Sequence, residues 1–222
     1  MSGARTVEVL FPEKVIAERV TTLAAEIAAA KPKDLLVVAI LKGSFMFAAD
    51  LLRAMHRAGL EPHVEFFHLS SYREGTVSSG TVKILRDIES AVKDRDIVLI
   101  DDILESGRTL AFAKDLLVAR GARRVLVCTL LEKRGKREVP ITADFIGFEC
   151  PDDFVVGYGM DVAHAFRELP FVGVIEDKPV RIVRGGARGS RVREREGRNR
   201  RDAGESRRGS RGRAGYRSRR EP

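Results

Sequence analysis

The chain reads as an α/β domain, a mostly parallel sheet flanked by helices, followed by a disordered C-terminal tail. Three observations carry that reading. Short apolar runs of strand length alternate along the chain with stretches of helical periodicity, the pattern of a sheet covered on both faces. The runs at 35–41 and 96–100 are continuously apolar rather than alternating, as strands buried on both faces are. Beyond Val183 the composition changes to eight glycines, scattered Arg-Gly pairs and almost no large apolar side chains. Such a segment buries too little surface to offset its ordering entropy.

The elements follow in order. Residues 13–30 place Ile16, Val20, Leu23 and Ile27 at helical spacing, an amphipathic helix. The buried strand at 35–41 is broken by Lys42 and Gly43, and 45–55 is helical with Ser44 as its N-cap. Residues 64–69 and 81–85 are strand-like. They flank the polar stretch 70–80, and a loop of that length inside a domain is functional or mobile. A strand at 96–100 runs into Asp101-Asp102, a short Ser-Gly turn and a helix over 107–120. Strands at 124–131, 145–148, 154–156 and 171–175 complete the series. Ligands in such folds bind beyond the carboxyl ends of the strands.

A length of 222 residues suits one core with something appended. We assign 1–183 to the domain and 184–222 to the tail. The longest apolar run, 35–41, is far short of the roughly 18–20 residues of a spanning helix. Residues 1–11 lack the long apolar stretch of a secretory signal. Cys128 and Cys150 have no metal-ligand spacing, and neither do His56, His63, His68 and His164. A disulfide scaffold, a membrane protein and a structural zinc protein are therefore excluded, and a cytoplasmic protein with reduced thiols is expected. The formal charge of +8 divides unevenly: residues 181–222 hold 16 arginines, no lysine and 5 acidic groups, while the rest of the chain carries −3. Any affinity for nucleic acid would belong to the tail.

The most informative segment is Ile97-Val-Leu-Ile-Asp-Asp-Ile-Leu-Glu-Ser-Gly-Arg-Thr-Leu110. A buried strand delivers Asp101 and Asp102 to its carboxyl end, and Glu105, Ser106, Gly107, Arg108 and Thr109 then open a helix. Gly107 lets backbone approach a ligand closely, free N–H groups at the helix start favour an anion, and two hydroxyls add donors. Acids beside a phosphate cradle fit a ligand that also carries sugar hydroxyls or a divalent cation.

This segment resembles the phosphoribosyl-pyrophosphate (PRPP) motif of the type I phosphoribosyltransferases, and the chain over roughly 10–178 resembles the hypoxanthine-guanine phosphoribosyltransferases. Four further stretches match in order. Leu41-Lys42-Gly43 resembles the pyrophosphate loop, where the peptide before the lysine is often cis. Ser71-Tyr72 resembles the start of a mobile lid. Lys133 resembles the lysine that reads the purine 6-oxo group. Phe154-Val-Val-Gly-Tyr-Gly-Met-Asp161 with Arg167 resembles the purine-stacking and pyrophosphate segment. The resemblance implies the type I fold with a small hood, and it implies roles. Glu105 to Thr109 would hold the 5′-phosphate, with Asp101 and Asp102 facing the ribose hydroxyls and the hydration shell of magnesium. Lys42, Gly43, Ser44 and Arg167 would hold pyrophosphate. Phe154 would stack on the purine, Val155 would pair with it through the backbone, and Asp161 would line the purine site and help hold a second Mg2+. Asp101 would reach its metal through water.

The implied activity is purine salvage: transfer of the 5-phosphoribosyl group from PRPP to N9 of hypoxanthine or guanine, giving IMP or GMP and pyrophosphate, with Mg2+. Lys133 favours a 6-oxopurine over adenine, since an ammonium donates hydrogen bonds and cannot accept them from an amine. A relative selective for xanthine remains an alternative. Glu105 occupies the usual general-base position, where the family pattern has aspartate, and Val162 stands where an aromatic commonly follows. A homo-oligomer, dimer or tetramer, is implied as well. From a different class, a regulatory nucleotide-sensing RNA-binding protein would use the basic tail.

Overall fold

The computed structural model describes residues 6–71 and 82–176. The tail, the proposed boundary at 183/184 and Tyr72 lie outside the described residues. The elements run β1 (Thr6–Phe11), α1 (Glu13–Ala29), β2 (Leu36–Leu41), α2 (Phe45–Arg57), β3 (His63–Ser71), β4 (Val82–Arg86), β5 (Asp96–Leu104), α3 (Arg108–Ala119), β6 (Arg124–Glu132), β7 (Phe145–Glu149), β8 (Val155–Val156) and β9 (Val172–Glu176).

The main sheet has the order β4-β3-β2-β5-β6-β7. All of its pairings are parallel except the antiparallel edge pair β3–β4. The continuous apolar runs explain themselves in three dimensions. Along β2 and β5, Val37, Ala39, Val98 and Ile100 face one core with the apolar stripes of α1 and α2. Leu36, Val38, Ile40, Ile97 and Leu99 face the opposite core under α3. A strand covered on both sides has no solvent face on which to place polar residues.

Two departures matter for function. The strand expected to stop at Ile100 continues through both aspartates to Leu104. It outlives its pairing with β2, which ends at Ala39↔Ile100, while pairing with β6 continues to Leu104↔Glu132. The overhang opens a crevice between β2 and β5, where the chain turns to opposite sides of the sheet. That is the switch point at which open α/β sheets bind ligands. The second departure is the fate of β8 and β9. They leave the parallel series and join β1, which the sequence reading did not identify as a strand, in a three-stranded antiparallel sheet of order β1-β9-β8. This small sheet is the hood that the resemblance implies.

Candidate active site

β2 delivers Leu41 to the crevice, and the Leu41–Lys42 peptide is cis, as the resemblance implies. Gly43 then lies against the overhanging strand: an added Cβ would stand 1.7 Å from Asp102 Oδ2, so only glycine fits. From the hood side Gly159, at φ +101°, presses onto the same loop, and a Cβ there would stand 2.1 Å from the Gly43 carbonyl oxygen. Ser44 occupies the N-cap position of α2 but makes no side-chain cap. It is fully buried, and its hydroxyl donates backward to the Ile40 carbonyl at 2.5 Å. That bond stiffens the loop from behind, and Ser44 lines neither cavity described below.

Two cavities adjoin along the crevice. The smaller, about 270 Å³, is lined by Lys42, Gly43, Asp101, Asp102, Ser106, Gly107 and Thr109 among others. Its floor is the start of α3. Gly107 adopts φ +83° at the N-cap, and the space a Cβ would need is occupied by Ile141 and the Val139 carbonyl at 2.6 and 3.1 Å. The Ser106 carbonyl accepts N–H bonds from Glu138 and Val139 at 2.9 and 3.1 Å, so the turn at the helix terminus is anchored from below. Arg108 departs from expectation. Its guanidinium pairs with Glu138 at 2.5 Å, which leaves only its backbone for a phosphate.

The larger cavity, about 540 Å³, brings together Lys133, Phe154, Val155, Asp161 and Arg167. Lys42, Gly43, Asp102 and Glu105 line both cavities. Phe154 leaves 57% of its surface open, a large apolar ring presented for stacking. Lys133 is only 4% exposed, and its Nζ donates to Glu105 Oε1 at 3.2 Å. Burial pushes the Glu105 carboxyl up, but the Lys133 and Lys136 ammoniums outweigh it and hold the pKa below the ordinary glutamate range. Arg167 binds Asp161 Oδ1 at 2.5 Å and the Gly159 carbonyl, and the His164 N–H donates to Asp161 Oδ2 at 2.8 Å.

Apart from Ser44, the Arg108 side chain and the two lid positions, the expected site residues therefore converge on one crevice. Ser71 ends β3, and its side chain lies outside the described residues.

A family model described as the phosphoribosyl transferase domain matches residues 7–163. The chain belongs to the phosphoribosyltransferase family. Over 173 residues it is 39% identical to the hypoxanthine phosphoribosyltransferase of Escherichia coli K12, a match spanning 77% of this chain and 96% of that protein. It is 42% identical over 170 residues to the bifunctional protein TilS/HprT of Listeria innocua, spanning 76% of this chain but 26% of that relative's length. A hypoxanthine-guanine phosphoribosyltransferase of Bacillus anthracis superposes with a TM-score of 0.71 at 38% identity, covering 76% of this chain and 98% of that one. None of these matches supports the RNA-binding alternative.

In this phosphoribosyltransferase the two aspartates are electrostatically unfinished. Asp101 is buried, and its pKa is driven well up by burial and by the charge of Asp102. Asp102 is also raised by burial, against hydrogen bonds and the more distant Arg167 that favour its ionised form. A hard cation or sugar hydroxyls would complete the pair. Among the described residues no three acidic, His or Cys side chains cluster as a metal cage. A cation held by this pair would take its remaining ligands from water and ligand oxygens.

Three polar lining residues were not among the expected site residues: His68, Lys136 and Asp152. Lys136 lies three positions past Lys133 in the charged run Glu132-Lys-Arg-Gly-Lys-Arg-Glu138, and such a run reads as a solvated turn.

Proposed function

We propose that residues 1–183 form a phosphoribosyltransferase domain of purine salvage, transferring the 5-phosphoribosyl group of PRPP to N9 of hypoxanthine or guanine. The observation that carries this reading is the position of Glu105. It stands on the wall shared by a cavity built for phosphate and a cavity built for a flat 6-oxo ring. The N–H groups at the start of α3, with Ser106 and Thr109, would hold the 5′-phosphate. Asp102 and Asp101 would accept hydrogen bonds from the ribose hydroxyls. In the base cavity Phe154 offers a stacking face, and Lys133 donates to the purine O6. As N9 bonds to the anomeric carbon and the bond to pyrophosphate breaks, the N7 proton passes to Glu105. Its Oε2 has no hydrogen-bond partner among the described residues.

Magnesium, when bound, neutralises charge on the pyrophosphate leaving group. Asp101, through water, would hold one such ion, and Asp161 would help hold a second. Arg167 pairs with Asp161, and its guanidinium would add positive charge to the pyrophosphate side of the site. Two buried free cysteines support a cytoplasmic setting. No helix among the described residues is long and apolar enough to cross a membrane. The implied homo-oligomer, dimer or tetramer, is supported by the exposed apolar side chains Val64, Phe66 and Leu85 at one sheet edge, and sedimentation reads it directly.

The deciding experiment is a steady-state assay with PRPP, Mg2+ and hypoxanthine, guanine, xanthine or adenine in turn, beside a Glu105→Gln variant. Hypoxanthine and guanine should turn over, adenine should not, and the variant should lose about 10²–10⁴-fold in kcat. PRPP binding without turnover of any base would sink the reading.

A further inference from the structure

Glu105 is held by two ammonium groups on a single oxygen. Lys133 Nζ lies 3.2 Å and Lys136 Nζ 3.5 Å from Oε1. The two lysines differ in surroundings: Lys133 is buried at 5% side-chain exposure, and Lys136 is 55% exposed. Lys136 also reaches the Asp152 carbonyl at 3.5 Å, so it spans from the phosphate loop to the segment that presents Phe154. The backbone is shaped for this crossing. At Gly135 an added Cβ would stand 2.1 Å from Asp152 Oδ2, so any side chain there would have to displace the exposed Asp152 carboxylate.

The arrangement raises a problem for the reaction proposed above, on which this inference rests. When a 6-oxopurine enters, Lys133 turns its donors to O6 and weakens its hold on Glu105. A carboxylate on a two-methylene arm is then free to swing about its side-chain bonds, and misplacement of about 1 Å costs on the order of 10²-fold in rate. We propose that Lys136 is a positioning residue that keeps hold of Glu105 Oε1 when the purine claims Lys133, leaving Oε2 aimed at N7. Lys136 touches neither the reacting atoms nor the ribosyl group. Its role also accounts for glutamate where the family pattern has aspartate: the extra methylene brings the carboxylate out to a second lysine. In the proton transfer itself the N7–H bond breaks and a bond from the proton to Oε2 forms, while the ammonium of Lys136 keeps all its protons.

The test uses the full chain with Lys136→Met, Lys136→Arg, and Lys136→Met combined with Glu105→Asp. Because the holding matters at the chemical step, Lys136→Met should lower kcat about tenfold with the KM for base and for PRPP unchanged. Lys136→Arg, which keeps a donor of similar reach, should restore kcat to within about twofold. In the Glu105→Asp background the shorter carboxylate does not reach position 136, and Lys136→Met should cost nothing further. A Lys136→Met enzyme with the parent's kcat overturns the proposal, as does the same tenfold loss in the Glu105→Asp background. A parent chain inactive on every 6-oxopurine overturns the functional reading itself and this inference with it.

Discussion

One methyl group at position 43 would have to occupy the place of the Asp102 carboxylate, 1.7 Å away. Gly43→Ala should therefore push the loop after β2 off the overhanging strand, costing about 1–3 kcal/mol of stability and, on the proposed reading, raising the KM for PRPP about tenfold or more. A thermal scan paired with PRPP titration reads both. Asp101 gives the opposite balance. Its pKa is raised in the folded chain, so as pH climbs through the ordinary carboxylate range the unfolded chain sheds a proton that the folded chain retains. Stability then falls with rising pH. Asp101→Asn should remove that slope and stabilise the ligand-free chain by about 1 kcal/mol at neutral pH, while PRPP binding weakens. A variant that melts below the parent at pH 7 would refute this account. At this scale the sequence was most readable where a residue's chemistry is unusual for its place, as with two acids ending an apolar strand. It was least readable where a common residue acquires its role from a fold-back. Lys136 was hidden in this way among other charges, and Ser44 was read as a cap because nothing in its neighbours shows that its hydroxyl turns back to Ile40.

The crevice exists because β5 is longer than its pairing with β2, and strand length beyond a neighbour is a property of pairing that no single strand encodes. This is why the reading that ended the strand at Ile100 found the aspartates but not the overhang that presents them. β1 was missed for a related reason. Its residues are exposed or half-buried with none fully buried, and only pairing with β9 some 160 residues away makes them a strand. At the far edge, the segment after β4 is tied to the end of α3 by Arg120, whose two nitrogens reach the two Asp87 oxygens at 2.8 and 2.6 Å. The Arg120 hydrogen bond lowers the Asp87 pKa, so the tie is fully present above the ordinary aspartate range and is lost as pH falls through the folded value. Asp87→Asn should flatten that acid limb of the melting temperature below the ordinary aspartate range. The cost at neutral pH should stay below about 1 kcal/mol because both side chains are partly exposed. Melting curves across that range for parent and variant check it.

For the molecule as a whole, the switch point between β2 and β5 was accessible from sequence, because two buried strands each followed by a polar loop and a helix specify it. The antiparallel hood was not, because its three strands come from the two ends of the domain. A folded chain with a buried acid pair and an adjoining phosphate cavity is poised to gain stability from its ligands. PRPP with Mg2+ at a hundredfold over Kd should stabilise it by about 2.7 kcal/mol, and EDTA should remove most of that shift in a thermal scan. The stretch that carries Lys133 and Lys136 also supplies, at Glu138 and Val139, the two N–H groups that tether the Ser106 carbonyl. On the proposed reading, purine choice and phosphate grip thus share one length of backbone. Transplanting 133–139 from a relative with another base preference would alter affinity for the sugar donor too, whereas exchanging single side chains there would not. Changing the diet of this enzyme is a task for point substitutions.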